Sequence, residues 1–167
     1  MESLLEKTKD RIGVNFEVLD SKVNIDQKRV DVFVKKENIP SVLLYVKEQM
    51  GFKHLMHMSV VDWLEEGEFE IVFFVWAPKE QIKLYIKTRI DRDNPVMENM
   101  DTIWPQLNTY EREFKEMYGI EFTGLVAPDE FILEAWDGPP PMRRDFETDK
   151  FAKDNFATRP GREDAED

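Results

Sequence analysis

Alternation of apolar and polar side chains predicts several strands in the first two thirds of the chain. Residues 82–90, IKLYIKTRI, alternate strictly, which is the period of a strand with one buried face. Residues 15–25 fit either strand or irregular structure. Three further segments favour strands, namely residues 29–35, 52–63 and 67–78. A turn at Glu65-Glu66-Gly67 joins the second of these to the third.

Helical spacing of apolar residues predicts four helices, at residues 2–12, 42–50, 98–104 and 108–118. Asn38 and Pro40 suit the start of the second helix, because asparagine caps helices and proline is tolerated in the first turn. Gly51 and Gly119 follow the second and fourth helices, where a left-handed residue ends a helix most easily.

The order of these elements predicts an α+β fold. Consecutive strands with short connections favour an antiparallel or mixed sheet of about four strands, with the helices on one face. Residues 1–138 form the predicted domain. Residues 139–167 are predicted to form an extended arm that docks on a partner, because Pro139-Pro140-Pro141 enforce an extended path. The last residues are expected to be disordered.

Three phenylalanines recur every five residues in this predicted arm: Phe146, Phe151 and Phe156. A free polar tail has little use for such side chains. We interpret them as anchors on a partner. The alternative is that they fold back on their own domain.

The charge and the absence of cysteine exclude several classes of function. A net charge of −12 disfavours nucleic-acid backbones and anionic lipid surfaces. Without cysteine, the chain offers no thiolate for iron–sulfur clusters, zinc or catalysis. The longest apolar run, residues 71–77, is too short to cross a bilayer. Many Lys and Glu residues with few amides are compatible with a thermophilic source.

The remaining residues offer few candidates for chemistry. His54 and His57 would point to opposite faces of a strand, and Asp62 suits a turn or an interface better than catalysis. Glu111, Glu113 and Glu116 lie close together on one predicted helix. Their spacing favours a solvated face, in which Glu111–Lys115 and Arg112–Glu116 form ion pairs. One alternative is a docking face for a partner protein, and another is a soluble acid–base enzyme that uses Glu113 or Glu116.

The fourth helix also contains a specific motif. Glu111-Arg112-Glu113 is followed by Met117-Tyr118-Gly119-Ile120 and then by Phe122-Thr123-Gly124. Further along, Pro141-Met142-Arg143-Arg144-Asp145-Phe146 forms a second motif at the appropriate separation. Together with the strand pair at 55–72, these segments resemble the thirty-kilodalton subunit of respiratory complex I, over about residues 30–147.

The chain departs from this family after Gly124, where Leu125-Val126 replace the usual His-Pro and acidic residues replace basic ones. These departures favour a relative such as the subunit of a membrane-bound, ferredoxin-linked nickel–iron hydrogenase. The alternative is the equivalent subunit of a complex I-like NADH or ferredoxin:quinone oxidoreductase, or of a sulfur-reducing one.

The resemblance implies a non-catalytic subunit of the peripheral arm, which supports assembly and holds no cofactor. Its partners would be the large (forty-nine-kilodalton-like) subunit and a neighbouring iron–sulfur subunit. Iron–sulfur clusters would lie in those partners, together with nickel–iron in the hydrogenase relatives. It would lie at the cytoplasmic face of the cell membrane, held there by its partners without inserting. The expected partner interface comprises Glu111, Arg112, Glu113, Tyr118, Gly119, Phe122, Arg143, Arg144, Asp145, Phe146, Phe151 and Phe156.

Overall fold

Five strands form the central sheet in the order β1-β2-β5-β4-β3. The computed structural model describes residues 2–126 and 130–155. The strands of the sheet are β1 (Val18–Asn24), β2 (Arg29–Val34), β3 (His54–Trp63), β4 (Glu68–Ala77) and β5 (Ile82–Asp91). Neighbouring strands are antiparallel except β2 and β5, which run parallel. The α+β class is confirmed, and β1 is the strand in excess of the four expected.

The helices are α1 (Glu2–Asn15), α2 (Ile39–Met50), α3 (Leu107–Tyr118) and α4 (Thr148–Asn155). The first three contribute residues to one core on a single face of the sheet. Leu84 and Ile86 of β5 are fully buried there, as are Phe69 and Phe73 of β4. Burial of each such side chain stabilises the fold by about 2 kcal/mol.

The other face of the sheet is open and has a chain of ion pairs across three strands. Asp31 of β2 contacts Arg29 at 2.8 Å and Lys87 of β5 at 3.5 Å. Lys87 lies 3.9 Å from Glu70 of β4, which in turn lies 3.7 Å from Arg89. These residues line a shallow cavity of about 960 Å³. Alternation along the strands explains this face, because their apolar residues point into the core.

The prediction of a helix at residues 98–104 is wrong. This segment contains the end of the short strand β6 (Val96–Glu98), which pairs in parallel with β7 (Glu121–Thr123), and then turns. Met100, Ile103 and Trp104 are buried at helical spacing, but they reach the core from the turns. The apolar pattern was therefore a signal of burial and not of a helix.

The predicted arm is only partly extended. Residues 148–155 form α4, and the described part of the arm contacts its own domain. The division of the chain at residue 138 and the docking of the arm on a partner stay predictions. Phe156 and the residues expected to be disordered lie outside the described residues.

Candidate interaction site around the third helix

The end of α3 is fixed by a glycine that the fold requires. Gly119 adopts φ +72°, and a Cβ there would lie 3.0 Å from the Pro140 side chain and 3.2 Å from Arg143 Nη2. The Nε of Arg143 donates a hydrogen bond of 2.7 Å to the Tyr118 carbonyl. The backbone N–H of Met142 donates to the Met117 carbonyl at 3.0 Å. Residues 140–143 therefore pack directly against the last turn of the helix.

Glu111 lies inside the domain. Its side chain is 0% exposed, and Oε1 accepts a 2.9 Å hydrogen bond from the backbone N–H of Met100. The other oxygen has no hydrogen-bond partner among the described residues. Burial raises the pKa of Glu111 to about 7, and the charge of Asp101 adds to this effect. The expected pair with Lys115 is wrong, since Lys115 contacts Glu121 at 3.4 Å instead.

Glu116 binds the backbone of the segment at residues 131–133. Its carboxylate accepts hydrogen bonds from the N–H groups of Phe131, Ile132 and Leu133, at 2.9, 2.8 and 3.0 Å. Burial acts to raise the pKa of Glu116, but these three donors outweigh it and the pKa lies below its ordinary value. Glu116 thus stays ionised and already has partners.

Arg112 contacts the same segment. Its guanidinium lies 4.2 Å from the centre of the Phe131 ring, and Nη2 is 3.5 Å from the Glu130 carbonyl. No direct ion pair joins Arg112 to Glu116 within the described part of the chain, but the charge of Arg112 contributes to the lowered pKa of Glu116, so the second expected pair acts as a longer-range attraction. Both residues face across to residues 130–133 instead of along the helix.

The other predicted interface residues on α3 and on β7, which follows it, differ in exposure. Glu113 is partly exposed and has neither an ion pair nor a side-chain hydrogen bond among the described residues. Tyr118 packs edge-on against Phe69 at 5.8 Å, and burial raises the pKa of its hydroxyl, with the charges of Glu113 and Asp62 adding to the shift. Phe122 is buried in β7. Glu111 and Phe122 are thus buried within this chain, and the partner interface expected around them stays a prediction.

Arg92, which the sequence reasoning missed, joins three parts of the chain. It lies just after β5 with 6% of its surface exposed. Its guanidinium contacts Asp62 at 2.8 and 3.1 Å and Asp145 at 2.6 and 3.1 Å. The pKa of Arg92 is raised by both hydrogen-bonded carboxylates. We call Asp62, Arg92 and Asp145 the ion cluster.

Both carboxylates of the ion cluster have lowered pKa values. The hydrogen bond from Arg92 lowers the pKa of Asp145. Burial acts to raise the pKa of Asp62, but Arg92 and the backbone N–H of Arg144, at 2.8 Å, outweigh it. The Arg144 guanidinium reaches Glu65 at 3.0 Å. Asp145 and Arg144 thus contact their own domain in this structure.

The aromatic residues of the arm pack on each other. Trp136 lies 4.7 Å from Phe151 and 6.0 Å from Phe146, measured between ring centres. Phe146 and Phe151 are 5.4 Å apart. Gly138 is needed here, because a Cβ would lie 2.6 Å from the Phe151 ring. Phe146 and Phe151 thus pack on Trp136 and on each other in this chain, and their anchoring on a partner stays a prediction.

The histidines and acids do not assemble into a metal centre in the described ranges 2–126 and 130–155, where no group of three potential ligands occurs. His57 Nδ1 lies 3.2 Å from the Tyr110 hydroxyl, and His54 packs on Trp76. In the same ranges, no helix has both the length and the apolar character that a bilayer crossing requires.

A known protein family matches the stretch of chain that contains all the residues of this site. Residues 32–152 match the family described as the respiratory-chain NADH dehydrogenase 30 Kd subunit. The chain belongs to this family. The resemblance seen in the two motifs is thereby confirmed, and every predicted interface residue except Phe156 lies within the matched range.

Two similar proteins are C subunits of larger oxidoreductases. The C subunit of the F(420)H(2) dehydrogenase of Methanosarcina mazei is 34% identical over 125 residues, which is 71% of this chain and 76% of that protein. The C subunit of the NADH-quinone oxidoreductase of Moorella thermoacetica is 26% identical over 119 residues, covering 68% of this chain and 76% of the relative.

Two solved structures have a similar fold. A chain of the membrane-bound sulfane sulfur reductase, an archaeal respiratory membrane complex, matches with a TM-score of 0.80 at 28% identity, over 90% of this chain and 89% of that one. The trypsin-resistant fragment of Nqo5 matches with a TM-score of 0.58 at 19% identity, over 76% of this chain and 98% of the fragment. The second match concerns the fold alone.

Proposed function

We propose that this chain is a non-catalytic subunit of a membrane-bound respiratory oxidoreductase. It binds the large (forty-nine-kilodalton-like) subunit and supports assembly of the peripheral arm at the cytoplasmic face of the membrane. The observation that supports this most strongly is the family match over residues 32–152, which includes α3 and the segments packed on it.

The chemistry of α3 also favours a structural role over an acid–base one. Glu116, a candidate base, has both oxygens bonded to backbone N–H groups and a lowered pKa, so it is a poor proton acceptor. Glu113 has no described partner that would orient or activate it. A soluble acid–base enzyme would require at least one of these groups to be free and tuned.

The type of complex is the second part of the proposal. The similarity to a subunit of F(420)H(2) dehydrogenase and to a chain of sulfane sulfur reductase supports a complex related to those of archaeal respiration. The departures after Gly124 favour the ferredoxin-linked hydrogenase form of the same assembly. In either form the iron–sulfur clusters would lie in the neighbouring subunits, and nickel would be present only in the hydrogenase form.

Gentle detergent extraction of native membranes, followed by capture of this chain through a tag, tests the proposal. We expect a large subunit and an iron–sulfur subunit in equal amounts with the tagged chain. Nickel in the captured complex would identify the hydrogenase form, and iron without nickel would indicate the other forms. Recovery of the chain alone from the soluble fraction would overturn the proposal.

A further inference from the structure

The segment just before α4 is held firmly on the body of the domain. Residues 142–145 each bind the domain through a backbone N–H or a charged side chain. Their partners are, in order, the Met117 carbonyl at 3.0 Å, the Tyr118 carbonyl at 2.7 Å, Asp62 at 2.8 Å and Arg92 at 2.6 Å. Four consecutive residues are therefore fixed to three separate elements of the fold. We call residues 142–145 the clamp.

Helix α4, which follows the clamp, is held in a different way. None of its residues is buried. The Phe151 ring lies 4.7 Å from the ring of Trp136 and 5.4 Å from that of Phe146. The backbone N–H of Thr148 donates to the Phe146 carbonyl at 3.1 Å. A cavity of about 400 Å³ lies between α4 and residues 139–147, so the helix rests on this segment without packing closely against it.

The length of α4 makes its stability depend on these contacts. Isolated helices shorter than about 12 residues are marginal in water, and α4 has eight residues. Segments that bury little surface open locally while the rest of a protein stays folded. The clamp is unlike such a segment, because its partners Asp62 and Arg92 are buried and bind each other. Opening of α4 therefore has a natural limit at Glu147, between the helix and the clamp.

We propose that α4 is a lid on the rings of Trp136 and Phe146, and that it opens at Glu147 while the clamp stays on the domain. In the closed form all three rings, including that of Phe151, are partly buried. In the open form they are exposed aromatic surface, which is typical of an interaction site. The lid does not depend on the proposed function. Where the arm does dock on a partner, the lid opens before the partner reaches these rings.

Limited trypsin digestion of the full chain tests the lid. Lys153→Pro breaks α4, because proline removes an internal hydrogen bond of the helix. The matched control, Lys153→Ala, removes the same charge and the same tryptic site but keeps a strong helix former. We expect cutting after Lys150 to be at least about tenfold faster in the proline variant, since trypsin cuts the open form. Equal rates in the two variants would overturn the proposal.

Cutting after Arg143 and Arg144 reports on the clamp in the same digests. This rate should be equal in Lys153→Pro and Lys153→Ala, because α4 does not hold the clamp. Asp145→Asn should raise it, since the substitution removes the charge that binds Arg92. A rise after Arg144 in Lys153→Pro that matches the rise after Lys150 would mean that the arm detaches as a whole, which contradicts the lid. Equal melting temperatures of the two Lys153 variants would exclude unfolding of the domain.

Fluorine NMR of the chain labelled with 5-fluorotryptophan tests whether the lid covers Trp136. The chain has four tryptophans, and Trp136→Phe identifies the resonance of this one. In Lys153→Pro the Trp136 resonance should move towards that of the free amino acid, whereas Lys153→Ala should resemble wild type. The other three resonances should not move in either variant. An unmoved Trp136 resonance in Lys153→Pro would show that α4 does not cover this ring and would refute the lid.

Discussion

At the scale of single residues, three glutamates within two turns of α3 have three different roles. Glu111 is buried with one hydrogen bond, Glu113 is partly exposed, and Glu116 binds backbone donors. The sequence alone does not distinguish the three roles, because all three residues are glutamates that lie close together on one helix. The environment decides the role of each, because burial raises a carboxyl pKa and donated hydrogen bonds lower it.

Glu111 is expected to make stability depend on pH. Its pKa in the folded protein is about 7, above the ordinary 4.5. The contribution of Glu111 to the free energy of unfolding is therefore fully present below pH 4.5 and is lost as the pH rises through 7. Glu111→Gln should remove a loss of about 3 kcal/mol between pH 4.5 and 8. Urea unfolding at several pH values measures this. Glu113→Gln is the control, and an unchanged pH slope in Glu111→Gln would refute the assignment.

The ion cluster is expected to be sensitive to removal of its central charge. Arg92→Met leaves Asp62 buried, at 7% exposure, without its partner and should cost about 3–5 kcal/mol in free energy of unfolding. Arg92→Lys should lie between wild type and Arg92→Met, since an ammonium group cannot bind both carboxylates in the two-pronged manner. Denaturant unfolding compares the variants, and equal stabilities would count against the cluster.

The ion cluster also predicts the response to acid. The pKa values of Asp62 and Asp145 lie below the ordinary value of 3.8. Their contribution to the free energy of unfolding is therefore present above pH 3.8 and is lost as the pH falls through the lowered pKa values. In Arg92→Met this loss should be smaller than in wild type, which acid titration followed by circular dichroism can measure.

At the scale of elements, strong periodicity was a reliable guide and isolated apolar residues were not. Strands β3, β4 and β5 and helix α3 lie within a few residues of their predicted bounds, because each buries one regular face. The segment 98–104 has three buried apolar residues at helical spacing but reaches the core through turns. Neither spacing nor propensity could reveal that Glu111 would accept the N–H of Met100.

The site was predictable only as a region. The motifs located α3 and residues 141–146, yet they did not show that these two segments pack on each other. Arg92 sits in a turn between acids, DRDN, and nothing in that context separates it from an exposed arginine. Its importance arises from the fold, which brings Asp62 and Asp145 to it from 30 and 53 residues away.

Helix α4 is expected to depend on Gly138. A Cβ at this position would lie 2.6 Å from the Phe151 ring, so Gly138→Ala should displace α4 from Trp136. Hydrogen exchange in residues 148–155 should rise, while exchange in the core strands stays the same. Gly13→Ala in α1, where no atom lies within 4 Å of the added carbon, is the control. Unchanged exchange in α4 would contradict the expected role of this glycine.

At the scale of the whole molecule, the sheet has one apolar face under three helices and one charged face with its own ion pairs. The fold class followed from the sequence because strand and helix patterns were clear. The pairing of β2 with β5 did not, because no local pattern encodes which distant strand becomes a neighbour.

The parallel pairing of β2 with β5 determines how much of the chain must be synthesised before the central sheet can form. The two strands are about fifty residues apart in sequence, and β5 is the strand that connects the β1–β2 pair to the β4–β3 pair. Contacts between such distant segments form slowly, because a long loop must close first. Until β5 has left the ribosome, the β1–β2 and β3–β4 strand pairs have no strand between them to join them into one sheet. The central sheet can close only when the chain has been synthesised past residue 91.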